Sequence, residues 1–306
     1  MYFGSVLDVL TIISFSVTSL GIVGNLLVLL IILCTKKLRT KMYIFIGNLA
    51  LADLCYLAHE MVAGFMMNVP KEFFMISTYV TFVTFTVSIH TLVLLAIDKF
   101  LTLVLVFKSI VFKTSRNLLI TVALLWAISI SLLSPAVIFF GDDPGYFIQK
   151  GPYITVNKTN NTDTTPFKTI FICLFVLDYL VPLIAITVMY AKVIFQLNSK
   201  DRPNPVNNPA DSKIIKDKRR LTIVMIIVTV VFAVCWFPRY VDFYLLFFTE
   251  VDNTNESYEI FSAFAYFSVL INSAINPILY AFIYVDFRQQ AHNFFKQIRT
   301  TCCKKK

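Results

Sequence analysis

The 306-residue chain is 58% hydrophobic and only 15% charged, with a mean hydropathy of +0.75. Soluble domains carry about 25% charged residues, so the apolar surplus here must face lipid, and a water-soluble enzyme is excluded. The net charge of +9 is not a nucleic-acid footprint, because its lysines and arginines gather at the ends of apolar runs.

A helix needs about 20 mostly apolar residues to cross about 30 Å of hydrocarbon. Seven runs qualify in chain order: 8–34, 43–67, 73–105, 117–140, 167–197, 219–248 and 258–284. The first has no basic flank before it and is too long for a cleavable signal. It reads as a span that also targets the chain, with about eight residues exposed before it, too few to hold a large hormone. Span 3 is diluted by Thr78, Thr81, Thr84, Thr86 and Ser88, hydroxyls that bond back to their own helix. Between spans 5 and 6, Gln196 to Asp217 holds Pro203, Pro205 and Pro209 among polar residues and reads as a helix-breaking loop. After span 7, Phe287, Ala291, Phe294, Phe295 and Ile298 recur at helical spacing among Arg288, His292, Lys296 and Arg299. That pattern predicts an amphipathic helix lying in the membrane interface. Cys302 and Cys303 follow, either palmitoylated or left as thiols. The expected fold is an all-α membrane protein. Residues 1–285 form a seven-transmembrane helix bundle, and 286–306 a short amphipathic interfacial helix and tail.

Charge sets the orientation. Lys36, Lys37, Arg39 and Lys41 follow span 1, and Lys108, Lys113 and Arg116 follow span 3. Lys200, Arg202, Lys213, Lys216, Lys218, Arg219 and Arg220 follow span 5, while the other face has only Lys71, Lys150, Lys158 and Lys168. The chain is thus expected in the plasma membrane, multi-pass, with an extracellular N-terminus and a cytoplasmic C-terminus. The sequons at Asn157, Asn160 and Asn255 fall on the outer side, where glycosylation is possible.

Ionisable groups inside spans usually mark function. Asp53 lies mid-way along span 2, and Asn25, Ser88, Asn272, Ser273 and Asn276 lie at similar depth. They predict one polar chamber. It either holds a small hard cation or water on Asp53, or serves only as interhelical hydrogen bonding.

The runs GNLLV (24–28), NLALAD (48–53), CWFP (235–238) and NPILY (276–280), with Trp126 in span 4 and Pro182 and Tyr190 in span 5, together resemble the signatures of rhodopsin-like G-protein-coupled receptors in order and on the right spans. The resemblance implies a sodium pocket of Asp53, Ser88, Asn272, Ser273 and Asn276, with Asp53 the metal ligand. It implies no other cofactor. Trp236 resembles the rotamer switch beneath the ligand, and Pro182, Ile89 and Phe232 the trio that repacks as span 6 swings outward. Tyr190 and Tyr280 resemble the tyrosines that meet in the active state. Pro238 and Pro277 mark expected kinks. The implied partners are an extracellular ligand, a heterotrimeric G protein and the bilayer.

Two departures stand out. The family's acidic-Arg-Tyr triplet is Asp98-Lys99-Phe100 here, which keeps a charge and loses the guanidinium fork. The family's outer disulfide has no cysteine at Phe74 or within 136–166, so no disulfide is expected.

Seven-residue steps return to one helix face about 10 Å further along. Outward from Asp53, Ser88, Trp236 and Ser273 these steps reach Glu60, Thr81, Phe243 and Tyr266. Arg239, Tyr240 and Asp242 lie one turn above Trp236, and Asp178 one turn outward of Pro182. These residues predict an aromatic ligand pocket with both charge signs, unless Glu60 or Asp242 simply pairs with Arg239. Amine receptors carry Asp where Thr81 stands, and visual pigments carry the Schiff-base Lys where Leu270 stands. A peptide is the best remaining ligand, with a lipid or small metabolite as runner-up, and a weakly coupled receptor is a further alternative. From other classes, a channel or transporter would need a continuous polar path, and an intramembrane protease a facing carboxylate or Ser/His pair.

Overall fold

The computed structural model describes residues 2–65, 71–105, 115–141, 147–150, 153–156, 165–198, 209–249, 255–283 and 285–303. Among them, seven helices are long and apolar enough to cross a membrane: Val9–Cys34, Lys41–Phe65, Ile76–Leu103, Arg116–Ser134, Lys168–Asn198, Thr222–Phe248 and Glu256–Tyr280. They match the seven expected runs. Span 3 is the most buried and span 4 the least, so span 3 is the axis around which the others pack. Outer and inner follow the lysine and arginine pattern.

Three details differ from expectation. The helix that holds span 1 begins at Tyr2, ahead of the stretch apolar enough to cross a membrane, which starts at Val9. The helix of span 6 begins at Pro209, inside the segment read as loop. Proline suits a first helical position, where its missing N–H would have had no partner. The loop after span 4 carries an antiparallel hairpin of Phe147–Lys150 and Tyr153–Val156, with Phe147 opposite Val156 and Lys150 opposite Tyr153. Its aromatic and β-branched residues flank Gly151-Pro152, a strand-turn-strand pattern. The described free cysteines, Cys34, Cys55, Cys173 and Cys235, all lie on spans.

Span 5 is α-helical over Thr165–Leu174 and Val181–Asn198, with a π-helical turn over Phe175–Leu180 between them, where the Val181 N–H bonds the Val176 carbonyl. The cause is Pro182: it has no N–H to return to the Asp178 carbonyl, and the ladder passes this point in one wide turn. Pro238 and Pro277 lie inside the helices of spans 6 and 7, each removing one backbone donor.

Side-chain hydrogen bonds join spans that have no hydrophobic reason to prefer each other over lipid. Asn48 donates to Thr91 Oγ1 at 2.7 Å and accepts from Trp126 Nε1 at 2.8 Å, which ties span 2 to spans 3 and 4. Small residues admit close backbones: a Cβ on Gly21 would lie 2.6 Å from Leu57 Cδ1 and 3.1 Å from Ala274 Cα. Beyond span 7, the tail helix runs over Val285–Cys303. Its apolar stripe, expected to lie in lipid, is divided. Phe287 is buried and stacks on Tyr43 of span 2 with centroids 6.5 Å apart, and Ala291 and Phe294 pack on the bundle, while Phe295 is exposed. The stripe is wide enough to serve the bundle and lipid at once.

Candidate functional site

The polar chamber forms where spans 1, 2 and 7 meet. Asp53 is only 3% exposed, and Ser88, Asn272, Ser273 and Asn276 are buried with it. Asn276 Nδ2 donates to Asp53 Oδ2 at 2.8 Å, and the Ser273 hydroxyl is a second hydrogen-bonding neighbour of that carboxylate. From span 1, Asn25 Nδ2 donates to the Ser273 carbonyl at 2.9 Å and to the Gly21 carbonyl at 3.0 Å. Its amide oxygen is buried without a hydrogen-bond partner among the described residues. The available donors to a cation are therefore oxygens alone: a carboxylate, hydroxyls and an orphaned amide oxygen. Such a set fits a small hard cation and not a soft transition metal. No group of three or more His, Cys, Asp or Glu suited to a metal occurs among the described residues; of Asn25, Asp53, Ser88, Asn272, Ser273 and Asn276, only Asp53 carries a charge.

Outward of the chamber lies an aromatic column. Trp236 sits 4.3 Å, centroid to centroid, from Phe85 of span 3 and 6.1 Å from Phe232, and Phe85 lies 5.4 Å from Phe232 and 5.9 Å from Tyr240. Ile89 and Phe232 belong to the same buried cluster, and Pro182 is buried in span 5. Phe85 was not singled out by sequence. Its signal was the spacing of Phe82, Phe85, Ile89 and Leu92, one helical face, obscured by the threonines between them. Trp236 Nε1 and the Tyr240 hydroxyl are buried with no hydrogen-bond partner among the described residues.

In the outer half, Glu60 and Arg239 take different hydrogen-bond partners. Tyr266 of span 7 donates to Glu60 Oε2 of span 2 at 2.7 Å. Arg239 Nη1 donates to Asp242 Oδ2 at 2.7 Å, Ser262 donates to the same oxygen at 3.3 Å, and the guanidinium lies 4.4 Å from the Phe243 ring centre. So Asp242 is the acid that pairs with Arg239, one turn along the same helix, while Glu60 takes a phenol instead. Thr81 is half-buried on span 3. Phe171 and Phe175 of span 5, neither singled out by sequence, close the wall: Phe171 lies 5.9 Å from Tyr240 and 6.3 Å from Phe243, and Phe175 5.3 Å from Tyr240.

Asp178 is turned toward span 3. It accepts from Thr86 Oγ1 at 2.9 Å and faces His90 Nε2 at 3.8 Å, both on span 3. The π turn carries it there, because one wide turn shifts every later side chain around the axis relative to a regular count. Asp178 thus ties spans 3 and 5 together.

At the inner end, Lys99 Nζ is 3.4 Å from Asp98 Oδ2. Phe100 takes Lys192 of span 5 over its ring at 5.8 Å, a contact the sequence did not suggest. Tyr190 and Tyr280 are both buried, and the Tyr190 hydroxyl has no hydrogen-bond partner among the described residues. Asn157 and Asn160 lie outside the described residues. Asn255 is exposed and caps the helix of span 7, its Oδ1 accepting from the Ser257 N–H at 2.9 Å. Cys302 and Cys303 close the tail helix.

Comparison with known proteins agrees with this arrangement. The family described as 7 transmembrane receptor (rhodopsin family) matches residues 24–280. The human galanin receptor type 1 is 30% identical over 293 residues, 91% of this chain and 79% of that one. The allatostatin-A receptor of Bombyx mori is 28% identical over 279 residues, 88% and 74% of the two chains. The QRFP-like peptide receptor of Branchiostoma floridae is 23% identical over 293 residues, 91% and 74%. With seven spans in order and the family's signature residues converging on one chamber and one aromatic column, the chain belongs to the rhodopsin family of seven-transmembrane receptors, a multi-pass plasma-membrane protein and not an enzyme.

Proposed function

We propose that this receptor binds an extracellular peptide in the outer half of the bundle and activates heterotrimeric G proteins through outward movement of span 6. The observation that carries the reading is the continuity of the outer aromatic wall with the column at Trp236: Tyr240 touches the rings of Phe171, Phe175 and Phe85 alike. A ligand pressing on that wall biases the packing beneath it, and the response is limited by its differential affinity for the two states. Relatives named for galanin, allatostatin-A and a QRFP-like peptide favour a peptide over a lipid or metabolite. The test is expression with promiscuous G proteins and challenge with galanin, allatostatin-A and a peptide and metabolite library. A metabolite as the sole agonist would replace the peptide, and ligand-evoked current without any G protein would mean a channel.

In this reading Glu60, Tyr266, Arg239, Asp242, Tyr240, Phe243 and Thr81 line the ligand site, and Asp178 shapes it from span 5. Asp53, with Ser88 and the Asn25 amide oxygen, would hold sodium, and Ser273, Asn272 and Asn276 would complete the pocket. The ion would supply a positive charge that offsets the Asp53 carboxylate. Asp53→Asn is expected to abolish the effect of sodium on agonist affinity while leaving surface expression intact. Measuring agonist affinity in sodium and in a bulky organic cation checks this, and full retention of the sodium effect in the mutant places the ion elsewhere.

Lys99 is the point at which coupling strength is decided. Its pair with Asp98 is between neighbours on one helix, with both side chains mostly out of water. Its compact ammonium lacks the planar guanidinium fork that could engage the Tyr190 hydroxyl and a G protein together. Lys99→Arg is expected to raise maximal agonist-driven G-protein turnover several-fold at matched surface expression; unchanged or lower turnover would show an inner face adapted to lysine.

The orientation places glycans on Asn157, Asn160 and Asn255 outside, and palmitate on Cys302 and Cys303 inside. Antibody to an N-terminal tag should therefore stain intact cells, and antibody to a tag after Lys306 only permeabilised ones. Glycosidase should shift wild type but not a chain lacking the three asparagines, and hydroxylamine should release label from palmitate-fed cells. The opposite staining would invert the orientation.

A further inference from the structure

We infer that Glu60 is the seat for an ammonium group on the ligand, either a free amino terminus or a lysine side chain. The inference deepens the proposed ligand site and rests on that reading only for the entry of a ligand there. Glu60 stands seven residues outward of Asp53, about 10 Å along the helix. It is five residues, about 7.5 Å, inside the end of span 2 at Phe65, within reach of the end of an extended chain. Its side chain is only 10% exposed. A buried carboxylate needs an opposite charge or several hydrogen bonds to offset the water it has lost, and the bundle supplies Glu60 with little of either.

The nearby cation is already committed. Arg239 Nη1 donates to Asp242 Oδ2 at 2.7 Å, and its guanidinium lies 4.4 Å from the Phe243 ring centre. Asp242 also accepts from Ser262 at 3.3 Å and has Tyr258 as a further hydrogen-bonding neighbour. Arg239 acts on Glu60 through space, so one guanidinium stands against two carboxylates and one negative charge is left over. Lys168, at the outer end of span 5, lies over the Phe248 ring at 5.7 Å.

The geometry at Glu60 selects the kind of cation. Tyr266 donates to Oε2 at 2.7 Å, which leaves Oε1 as the oxygen a ligand can take. Facing Oε1 is His59 Nδ1 at 3.9 Å, beyond hydrogen-bond reach and on a ring that is charged only when protonated. A guanidinium fork binds best to both oxygens of a carboxylate at once. With one of them held by a phenol, a compact ammonium fits better. A mere tie between spans 2 and 7 would be served as well by an amide, which also accepts from Tyr266 and carries no charge to bury. That difference sets the test.

The experiment uses the purified full chain in phosphatidylcholine nanodiscs and needs neither agonist nor G protein. Its failure therefore leaves the receptor reading untouched, while a metabolite agonist in the library screen would replace the peptide and leave the ammonium seat standing. The probes, at millimolar concentration, are phenylalanine amide, its N-acetyl form, Nα-acetyl-lysine amide and Nα-acetyl-arginine amide. The readout is melting temperature. The two ammonium probes should raise it by about 3 °C near ten times their dissociation constants. The neutral N-acetyl form should leave it unchanged, and the arginine probe should act more weakly. Glu60→Gln should lose the ammonium-dependent shift and, without a probe, melt no lower than wild type. Tyr266→Phe should melt lower, because the tie is gone, yet keep the shift and admit the arginine probe as readily as the lysine one. Glu256→Gln, at an exposed acid where span 7 begins, should keep the shift unaltered. If Glu60→Gln is not monodisperse, Glu60→Leu, an apolar group of similar volume, carries the same test. Equal shifts from phenylalanine amide and its N-acetyl form, an arginine probe as strong as lysine on wild type, a shift retained without the Glu60 carboxylate, or a Glu60→Gln chain that melts as low as Tyr266→Phe would each overturn the assignment.

Discussion

Phe85→Ala is expected to destabilise the receptor more than any other single truncation in the column and to raise its basal G-protein turnover. Phe85 is 1% exposed and lies between Trp236, Phe232 and Tyr240, so it is the span 3 ring that those three span 6 side chains share. In soluble cores Phe→Ala costs about 3–5 kcal/mol, part of it lost transfer energy and part the cavity left behind. Lipid tails are as apolar as the bundle interior, so the transfer part largely falls away here and the cavity part remains. The expected loss is about 2–3 kcal/mol, read as a lowered melting temperature of purified receptor. The cavity lies directly beside Trp236, whose indole N–H is already unpartnered, and it gives that ring space to change rotamer without a ligand. Basal turnover should rise accordingly, and Phe85→Leu should restore most of the stability. If Phe85→Ala melts like wild type, the column is not closed in the way the ring distances indicate.

Gly21→Val is expected to break the seam between spans 1 and 7 and, with it, the polar chamber. A Cβ at Gly21 meets Leu57 Cδ1 at 2.6 Å, and Ala274 at 3.0 Å to Cβ and 3.1 Å to Cα. Leu57 can rotate away, but the Ala274 backbone can move only with span 7. Overpacking of this kind costs about 1–3 kcal/mol, and close small-residue seams are what hold helices together in lipid. One turn on, Asn25 reaches the Ser273 carbonyl, a bond that exists only while the two backbones stay close. Separating them also moves Ser273 and Asn276 relative to Asp53. The variant should therefore lose both thermal stability and sodium sensitivity, whereas Val28→Ala, on the same helix, should lose stability alone. A Gly21→Val receptor with normal sodium response would show that the seam and the chamber are independent. Gly24, whose added Cβ would lie 3.0 Å from Pro277 Cγ, continues the seam and predicts the same sign with a smaller effect, because a ring edge yields more readily than a backbone.

Much of this protein was legible in the chain alone. Seven spans follow from the length of apolar runs against the thickness of a bilayer, since a span needs no partner to be stable in lipid and its composition declares it. The chamber residues were legible because a polar group in a span is costly and therefore conspicuous, and the seven-residue step placed Glu60 and Tyr266 correctly at one depth. What periodicity could not supply was azimuth and pairing. Asp178 lies one turn from Pro182 in sequence, but the π turn rotates it onto Thr86 and His90, and a regular helical count has no means of including an extra residue. Arg239 had two candidate acids, and only the packed bundle gives Asp242 to it and a phenol to Glu60. Gly21 and Phe85 were passed over because each looks ordinary in an apolar helix. Their importance lies in how close a neighbouring helix comes, a distance set by the whole bundle and recorded in no single span.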